Sequence, residues 1–434
     1  MSSMTAQDPQ VNAIAITELP LLSSHQIDLI VIGGGPAGFM GAITAAENGL
    51  DSVCVLESTA KTLEKVRISG GGRCNVTHEC WEPNELVTNY PRGHLPLLGS
   101  FSRFATGDVV DWFKRKGLEL ITEEDGRMFP VSNSSFEVVS CLRNAAVAAG
   151  VNCFTKSSVI RVEYLPEKGF LVYLQDSQIL ETQRVLVATG GHPSGRKIAS
   201  CLGHTVFMPV PSLFSLSLEE NFLKNCSGLS LKNVRLKLLS GGKSFYQTGP
   251  VLITHWGLSG PAILKLSAFA AHELNKDTYK ARLQVNWINE SSDFVNDLFK
   301  KFRYKAARST LANAKPFKEL PTRLWRILLQ QSRINIDIRW SDVSSLQQQR
   351  LCNNLLFNYY SVCGRGPYGE EFVTAGGVKL AEVNFATMES RLLPGLYFAG
   401  EILDVDGVTG GFNFQHCWTS GWLAGRAIAN SCCN

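Results

Sequence analysis

Gly33-Gly34-Gly35-Pro36-Ala37-Gly38 sits between a short apolar run and a stretch of helical spacing, and it limits the fold more than any other feature of the 434 residues. Upstream, Asp28–Ile32 reads as a buried parallel strand. Downstream, Phe39–Asn48 reads as a helix, with Gly49 as its C′ stop. Val53–Leu56 is a second strand, ending at Glu57. Strand, glycine turn, helix, strand is a βαβ unit, and GxGxxG within its turn is the pattern that seats a dinucleotide. Gly33 permits the tight turn, Gly35 lets the backbone approach a pyrophosphate, and Gly38 lets the helix pack closely. The helix N-terminus stabilises phosphate charge. Gly34, Pro36 and Ala37 complete the turn, and Glu57 is placed for ribose hydroxyls. A purely structural turn is the competing reading, disfavoured by strand, helix and acid standing in register.

Further helices read at Val109–Lys116 and Val138–Ala149. Residues 158–164 and 170–174 alternate as a hairpin, and Val159 joins the cofactor-contact candidates from it. Val185–Ala188 is another buried strand, followed by Thr189-Gly190-Gly191. Residues 205–288 change to short alternating segments, as in a small antiparallel barrel. Residues 291–357 are charged and helix-like, with breaks at Pro316 and Pro321. The first style then returns: a glycine-rich stretch at 374–378, a strand at Leu396–Ala399, and a helix from Phe414 to Asn430. The expected organisation is a tail over 1–26, a discontinuous dinucleotide domain at 27–192 and 352–434, and an insert at 193–351. Within the insert, 193–289 is β-rich and 290–351 helical and basic.

The fingerprint does not choose between NAD and FAD. Gly395–Glu401 favours FAD, because it is a strand ending in Gly400 plus an acid. In many flavoproteins such an acid, here Glu401, binds the ribityl chain. Gly410-Gly411-Phe412-Asn413 then leads into the last helix, whose N-terminal amides suit a flavin's electron-rich pyrimidine edge. Ser69-Gly70-Gly71-Gly72-Arg73-Cys74-Asn75 is a second glycine-rich loop. Its amides around Gly71 and the Arg73 guanidinium suit a phosphate or flavin oxygen, and an ordinary surface loop is the other reading.

Composition closes off other classes. With 44% hydrophobic and 18% charged residues, the chain has the balance of a water-soluble globular protein. No apolar run approaches the roughly 18–20 residues of a membrane span, so no membrane association is expected. The first 26 residues lack the features of a secretory signal, and the twelve scattered cysteines form no CxxC pair. Reduced thiols and a cytoplasmic location are therefore expected. Histidines and cysteines lack ligand spacing, so no metal site is expected, and neither GxSxG nor a P-loop occurs. Charge is segregated: residues 221–350 hold 21 Lys and Arg against 8 Asp and Glu, in a chain whose net charge is +4. Lys300, Lys301, Arg303 and Lys305 lie at the centre of this excess. A polyanionic partner or a solvated helix face would each explain it.

SGGGRCN at 69–75, THWGLSGPA at 254–262, TAGGV at 374–378 and GLYFAGEILDVDGVTGGFNFQ at 395–415 together resemble the BaiN/YhiN-like family. These are bacterial NAD(P)/FAD-dependent oxidoreductases, also labelled aminoacetone-oxidase-type. The resemblance covers nearly the whole chain from residue 27. It implies an α/β fold: a glutathione-reductase-like, Rossmann-like FAD domain with an inserted β-barrel-like and helical domain. By motif, Gly33, Gly35, Gly38, Glu57, Arg73, Gly190, Gly400, Glu401, Gly411 and Asn413 become FAD contacts. The segment His192–Lys197 is shorter than the corresponding family loop.

Relatives of this kind oxidise amines, reduce conjugated double bonds in steroid-like molecules, or make dihydrouridine in ribosomal RNA. The basic insert favours RNA, whose phosphates need cations. Among its aromatics, Trp325, Trp340, Phe317 and Tyr304 are candidates for base stacking, with helical-core packing the expected fate of most. The first-choice reaction is reduction of a C=C bond, uridine to dihydrouridine in large-subunit ribosomal RNA. Alternatives are a small-molecule oxidase or reductase and a non-catalytic flavin-bearing RNA-binding protein. NAD(P)H is the expected reductant, although no second GxGxxG follows a strand. The family motifs offer Cys74, His255 and His416 as proton donors. Each has a plainer reading: a buried thiol, a backbone-bonded turn histidine and a packed helix residue.

Overall fold

The computed structural model describes residues 27–219, 222–367 and 373–431; the tail expected at 1–26 lies outside them. The chain forms two compact units that meet along the sequence at Pro209/Val210 and Ala375/Gly376.

The first unit is built on a nine-stranded sheet whose centre is parallel. Leu396–Phe398, Ile179–Val187, Ile27–Ile32, Val53–Leu56 and Asn152–Phe154 lie side by side in that order, all parallel. A hairpin of Val159–Leu165 and Gly169–Leu174 extends the Ile179–Val187 strand antiparallel. The continuous apolar runs read as buried strands fit this centre: Leu29, Ile30 and Val31 are fully buried, as are Val185, Leu186 and Val187. Helix Pro36–Glu47 is buried over nearly its whole length, Pro36 to Ala45. It packs against the C-terminal helix Phe412–Asn430, and the contact is backbone to backbone. A Cβ on Gly421 would stand 2.4 Å from the Ala37 carbonyl oxygen, and one on Gly425 would stand 2.4 Å from that of Gly41. Only glycine permits such an approach.

The second unit is a closed, six-stranded antiparallel barrel with helices. Its strands run in the order Leu216–Leu218, Gly257–Ser259, Lys243–Ile253, Ser230–Ser240, Ala281–Asn286 and Asn358–Arg365. Helix Ser292–Lys305 is capped by the Ser291 hydroxyl, which accepts from the Phe294 amide at 3.2 Å. Helix Ser345–Leu356 begins with a Ser344–Gln347 capping box, and helix Thr322–Gln331 starts after Pro321. Barrel residues Leu236, Leu238, Leu283 and Val285 share one hydrophobic cluster with Val295, Phe299, Trp325, Leu328 and Leu355 from the helices. The β-rich and helical parts therefore have a common core.

Two expected boundaries move. Residues 193–209 belong to the first unit, because helix Pro193–Cys201 buries Ile198 and Ala199 within it. Residues 352–375 belong to the second, because Asn358–Arg365 closes the barrel between Leu216–Leu218 and Ala281–Asn286. The glycine-rich stretch at 374–378 is itself a strand, Val373–Val378. Among the described residues no helix is long and apolar enough to cross a membrane.

Candidate functional site

Each glycine of the first turn meets a different constraint. Gly33 has φ +112°, and a Cβ there would lie 2.5 Å from the Ala188 carbonyl oxygen. A Cβ on Gly38 would lie 2.1 Å from the Gly33 carbonyl oxygen, so the helix can seat on the turn only with glycine at that position. A Cβ on Gly35 would meet nothing within 4 Å. Gly35 is the N-cap of helix Pro36–Glu47, with no side-chain cap and no acid in the first turn. An uncapped helix N-terminus that opens onto free space suits a pyrophosphate. Glu57 closes one side: its Oε2 accepts from the Gly34 amide at 2.9 Å and its Oε1 from the Thr59 amide at 2.8 Å. Val159 begins its strand two residues after Ser157, whose amide donates to the Glu57 carbonyl at 2.8 Å.

A second group gathers residues far apart in the chain. Lys65 and Glu401 form an ion pair at 2.6 Å, with the Glu401 side chain 26% exposed. A Cβ on Gly190 would stand 3.4 Å from Glu401 Oε2 and 3.6 Å from Lys65 Nζ. A Cβ on Gly400 would stand 2.9 Å from the Ala37 Cβ, so Gly400 lies against Ala37. Gly190, Gly400 and Glu401 therefore share one neighbourhood with the helix of the glycine turn. Lys65 was not legible from any motif, since its role arises only from this pairing.

The loop before the C-terminal helix is pinned from several sides. Asp406 is fully buried, and its two carboxylate oxygens accept from Nε and Nη2 of Arg92. Asn413 Oδ1 accepts from the Gly407 amide at 2.8 Å, and its Nδ2 donates to the Gly407 carbonyl at 2.9 Å. The Tyr90 hydroxyl donates to the Phe412 carbonyl at 2.6 Å. The Asn413 side chain thus fixes the loop that carries Gly410 and Gly411, and it is a positioning residue in this arrangement.

Three further sequence candidates, Arg73, Cys74 and His416, lie in surroundings that no motif announces. The Arg73 guanidinium does not stand free for an oxygen anion: it pairs with Glu123, bonds Asn133 Oδ1, and lies 4.0 Å over the Phe129 ring. Gly70, Gly71 and Gly72 are exposed, and the Cys74 amide donates to the Ser69 carbonyl at 3.1 Å. Cys74 is fully buried at φ +58°, and burial pushes its thiol up to about 12, against a smaller lowering by Ser69. His416 is 2% exposed on the buried face of the last helix, and burial pushes its imidazole down to about 4. Both groups are buried and held in their neutral forms near pH 7. His255 belongs to the second unit, with an exposed ring set edge-on to Trp256.

Lys300, Lys301 and Lys305 are exposed on helix Ser292–Lys305, while Arg303 is half-buried and reaches the Ser341 carbonyl. Lys300 pairs with Asp297 at 3.3 Å. Among the four aromatics of this region, Trp325, Trp340 and Phe317 are core residues and Tyr304 is 91% exposed. Among the described residues no cluster of His, Cys, Asp or Glu is gathered for a metal.

The open helix N-terminus, the glycine-lined approach and the Glu401 neighbourhood suit the parts of FAD: diphosphate, ribityl chain and isoalloxazine. The fold and site together define a dinucleotide-cofactor oxidoreductase of Rossmann-like construction. Residues 27–427 match the HI0933-like protein Rossmann domain, and the chain belongs to that family of flavin-dependent enzymes. It is 29% identical over 415 residues to a 3-dehydro-bile acid delta(4,6)-reductase of Clostridium scindens, spanning 92% of this chain and 98% of the relative. It is equally 29% identical over 418 residues to a ribosomal RNA dihydrouridine synthase of Escherichia coli, spanning 93% and 98%. Among solved structures, 3-ketosteroid delta1-dehydrogenase from Sterolibacterium denitrificans shares the fold, with a TM-score of 0.51 at 14% identity over 94% of this chain and all of that one.

Proposed function

We propose that this FAD-dependent oxidoreductase reduces a C=C bond, and that its substrate is uridine in large-subunit ribosomal RNA. When bound, FAD supplies a centre that accepts a hydride and passes it on. The chain's own residues hold and orient it. The amides around Gly33–Gly38 and the helix N-terminus take the diphosphate, Glu57 the ribose, and Gly190, Gly400 and Glu401 the ribityl region. Gly410 and Gly411, pinned through Asn413, Tyr90 and the Arg92–Asp406 pair, present backbone to the flavin. NAD(P)H is the proposed reductant. His255 is the proposed proton donor, since it alone of the three candidates is exposed.

The observation that favours RNA is the cationic face of helix Ser292–Lys305. At 100° per residue, Lys300, Tyr304, Lys301 and Lys305 span one arc, and Val295 and Phe299 occupy the buried arc opposite. Phosphates would be met by this arc, whereas a steroid-like substrate has no use for it. Nucleoside mass spectrometry of large-subunit ribosomal RNA, with and without the gene, tests the proposal. Loss of dihydrouridine in the deletion, restored by wild type and not by Glu401→Ala, is the expected result. An unchanged modification profile would overturn the RNA substrate and favour a small molecule, of the kind named for the Clostridium 3-dehydro-bile acid reductase.

A further inference from the structure

The outer face of the barrel carries a row of side chains that the cofactor site does not use. Tyr246 stands directly opposite Lys237, Lys237 opposite Gln284, and Gln284 opposite Tyr359, across four adjacent strands. Period-two alternation sends their neighbours Leu236, Leu238, Leu283, Val285 and Tyr360 into the core, so this row faces outward. Tyr246 is 61% exposed and Tyr359 46%. Each ring is steadied by a cation: Lys237 Nζ lies 5.5 Å from the Tyr246 centroid and Arg282 Cζ lies 4.2 Å from that of Tyr359. The Tyr359 hydroxyl also donates to Gln284 Oε1 at 3.3 Å. The four strands contain Lys232, Arg235, Lys237, Lys243, Arg282 and Arg365 and no Asp or Glu. Lys243 is neutralised by Glu273.

We propose that this row is a stacking platform for unpaired nucleotides of an RNA strand; the proposal rests on the RNA substrate inferred above. Aromatic rings on an open sheet face, with cations between and beside them, are the chemistry that binds single-stranded nucleic acid. The two tyrosines are three strand spacings apart, about 14 Å along the surface, so they take two bases that are not adjacent. Gln284 stands between them with an amide for base edges, while Lys237, Arg235 and Arg282 meet phosphates. A steroid-sized ligand needs a concave pocket, whereas this row lies on the outward side of the strands. An acidic peptide would use the cations and leave the rings without a role.

The test is fluorescence anisotropy of a labelled single-stranded oligouridylate with the FAD-loaded full chain across a salt series. Tyr246→Ala and Tyr359→Ala should each weaken binding about fivefold or more. Tyr246→Phe and Tyr359→Phe, which keep the ring, should stay within about twofold, and the salt slope should not change. Circular dichroism and flavin absorbance confirm that each variant is folded and loaded. Undiminished binding by the double alanine variant overturns the platform and leaves the RNA substrate standing. Phenylalanine variants as weak as the alanines overturn stacking as its basis. If wild type itself binds no oligouridylate at low salt, the RNA reading falls and the platform falls with it.

Discussion

Replacing His416 by leucine should flatten the acid limb of the first unit's stability. The imidazole is buried on the last helix without a side-chain partner for either ring nitrogen. Burial moves it from 6.5 to about 4, overcoming smaller opposing effects of the Gly400 backbone and the Glu401 carboxylate. Because the folded value is depressed, the unfolded chain binds the proton more readily. Stability is therefore intact above the unfolded value and falls as pH drops from about 6.5 towards 4. Linkage over that interval gives a loss of about 2 kcal/mol at pH 5 and about 3 kcal/mol once the group is protonated in both states. Leucine, of similar volume and no charge, removes the titration. The assay is urea unfolding followed by tryptophan fluorescence, for wild type and His416→Leu, at about pH 7.5 and pH 5. The gap between the two proteins should shift in the variant's favour by about 2 kcal/mol on acidification. Parallel pH dependences would refute the reasoning, and would mean that the ring reaches a proton-accepting partner or solvent in the folded state.

Glu401→Ala should lower FAD occupancy of the purified protein several-fold, read from the flavin-to-protein absorbance ratio; full occupancy would remove Glu401 from the site. Gly421→Ala places a methyl 2.4 Å from the Ala37 oxygen and should cost about 1–3 kcal/mol in urea unfolding. Asp406→Asn strands the Arg92 guanidinium beside a neutral partner and should destabilise by about 3–5 kcal/mol, with weaker flavin retention in dialysis. Neutralising Lys300, Lys301, Arg303 and Lys305 together should reduce the salt slope of RNA binding by about 0.7 per lost phosphate contact; an unchanged slope would show that this helix is not the docking surface.

What could be read in the sequence was what local spacing encodes. The Gly33–Gly38 turn, the flanking apolar strands and the return of a strand at Leu396 follow from residue order alone, because a buried parallel strand is a continuous apolar run. Where an answer depended on partners distant in sequence, it was hidden. Nothing beside Arg73 in the sequence announces that Glu123 and Asn133 meet it. Cys74 and His416 sit inside cofactor motifs, yet packing turns both away from solvent. The Tyr246–Tyr359 row shows in sequence only as polar alternation, since it takes shape through the register of four strands. Tyr304 was separable from the core aromatics only by its exposure.

The interrupted first unit also sets an order of events during synthesis. Its parallel sheet places Leu396–Phe398 beside Ile179–Val187, and its last helix lies glycine to glycine on Pro36–Glu47. Those pieces leave the ribosome only after the whole barrel has been made. The barrel, continuous from Val210 to Ala375, can close before the first unit has its full complement of strands. Until then the Pro36–Glu47 helix has an uncovered apolar flank, which makes the nascent first unit the aggregation-sensitive stage of folding. Slowing translation across the barrel should lengthen that exposure, and chaperone dependence should follow the return segment.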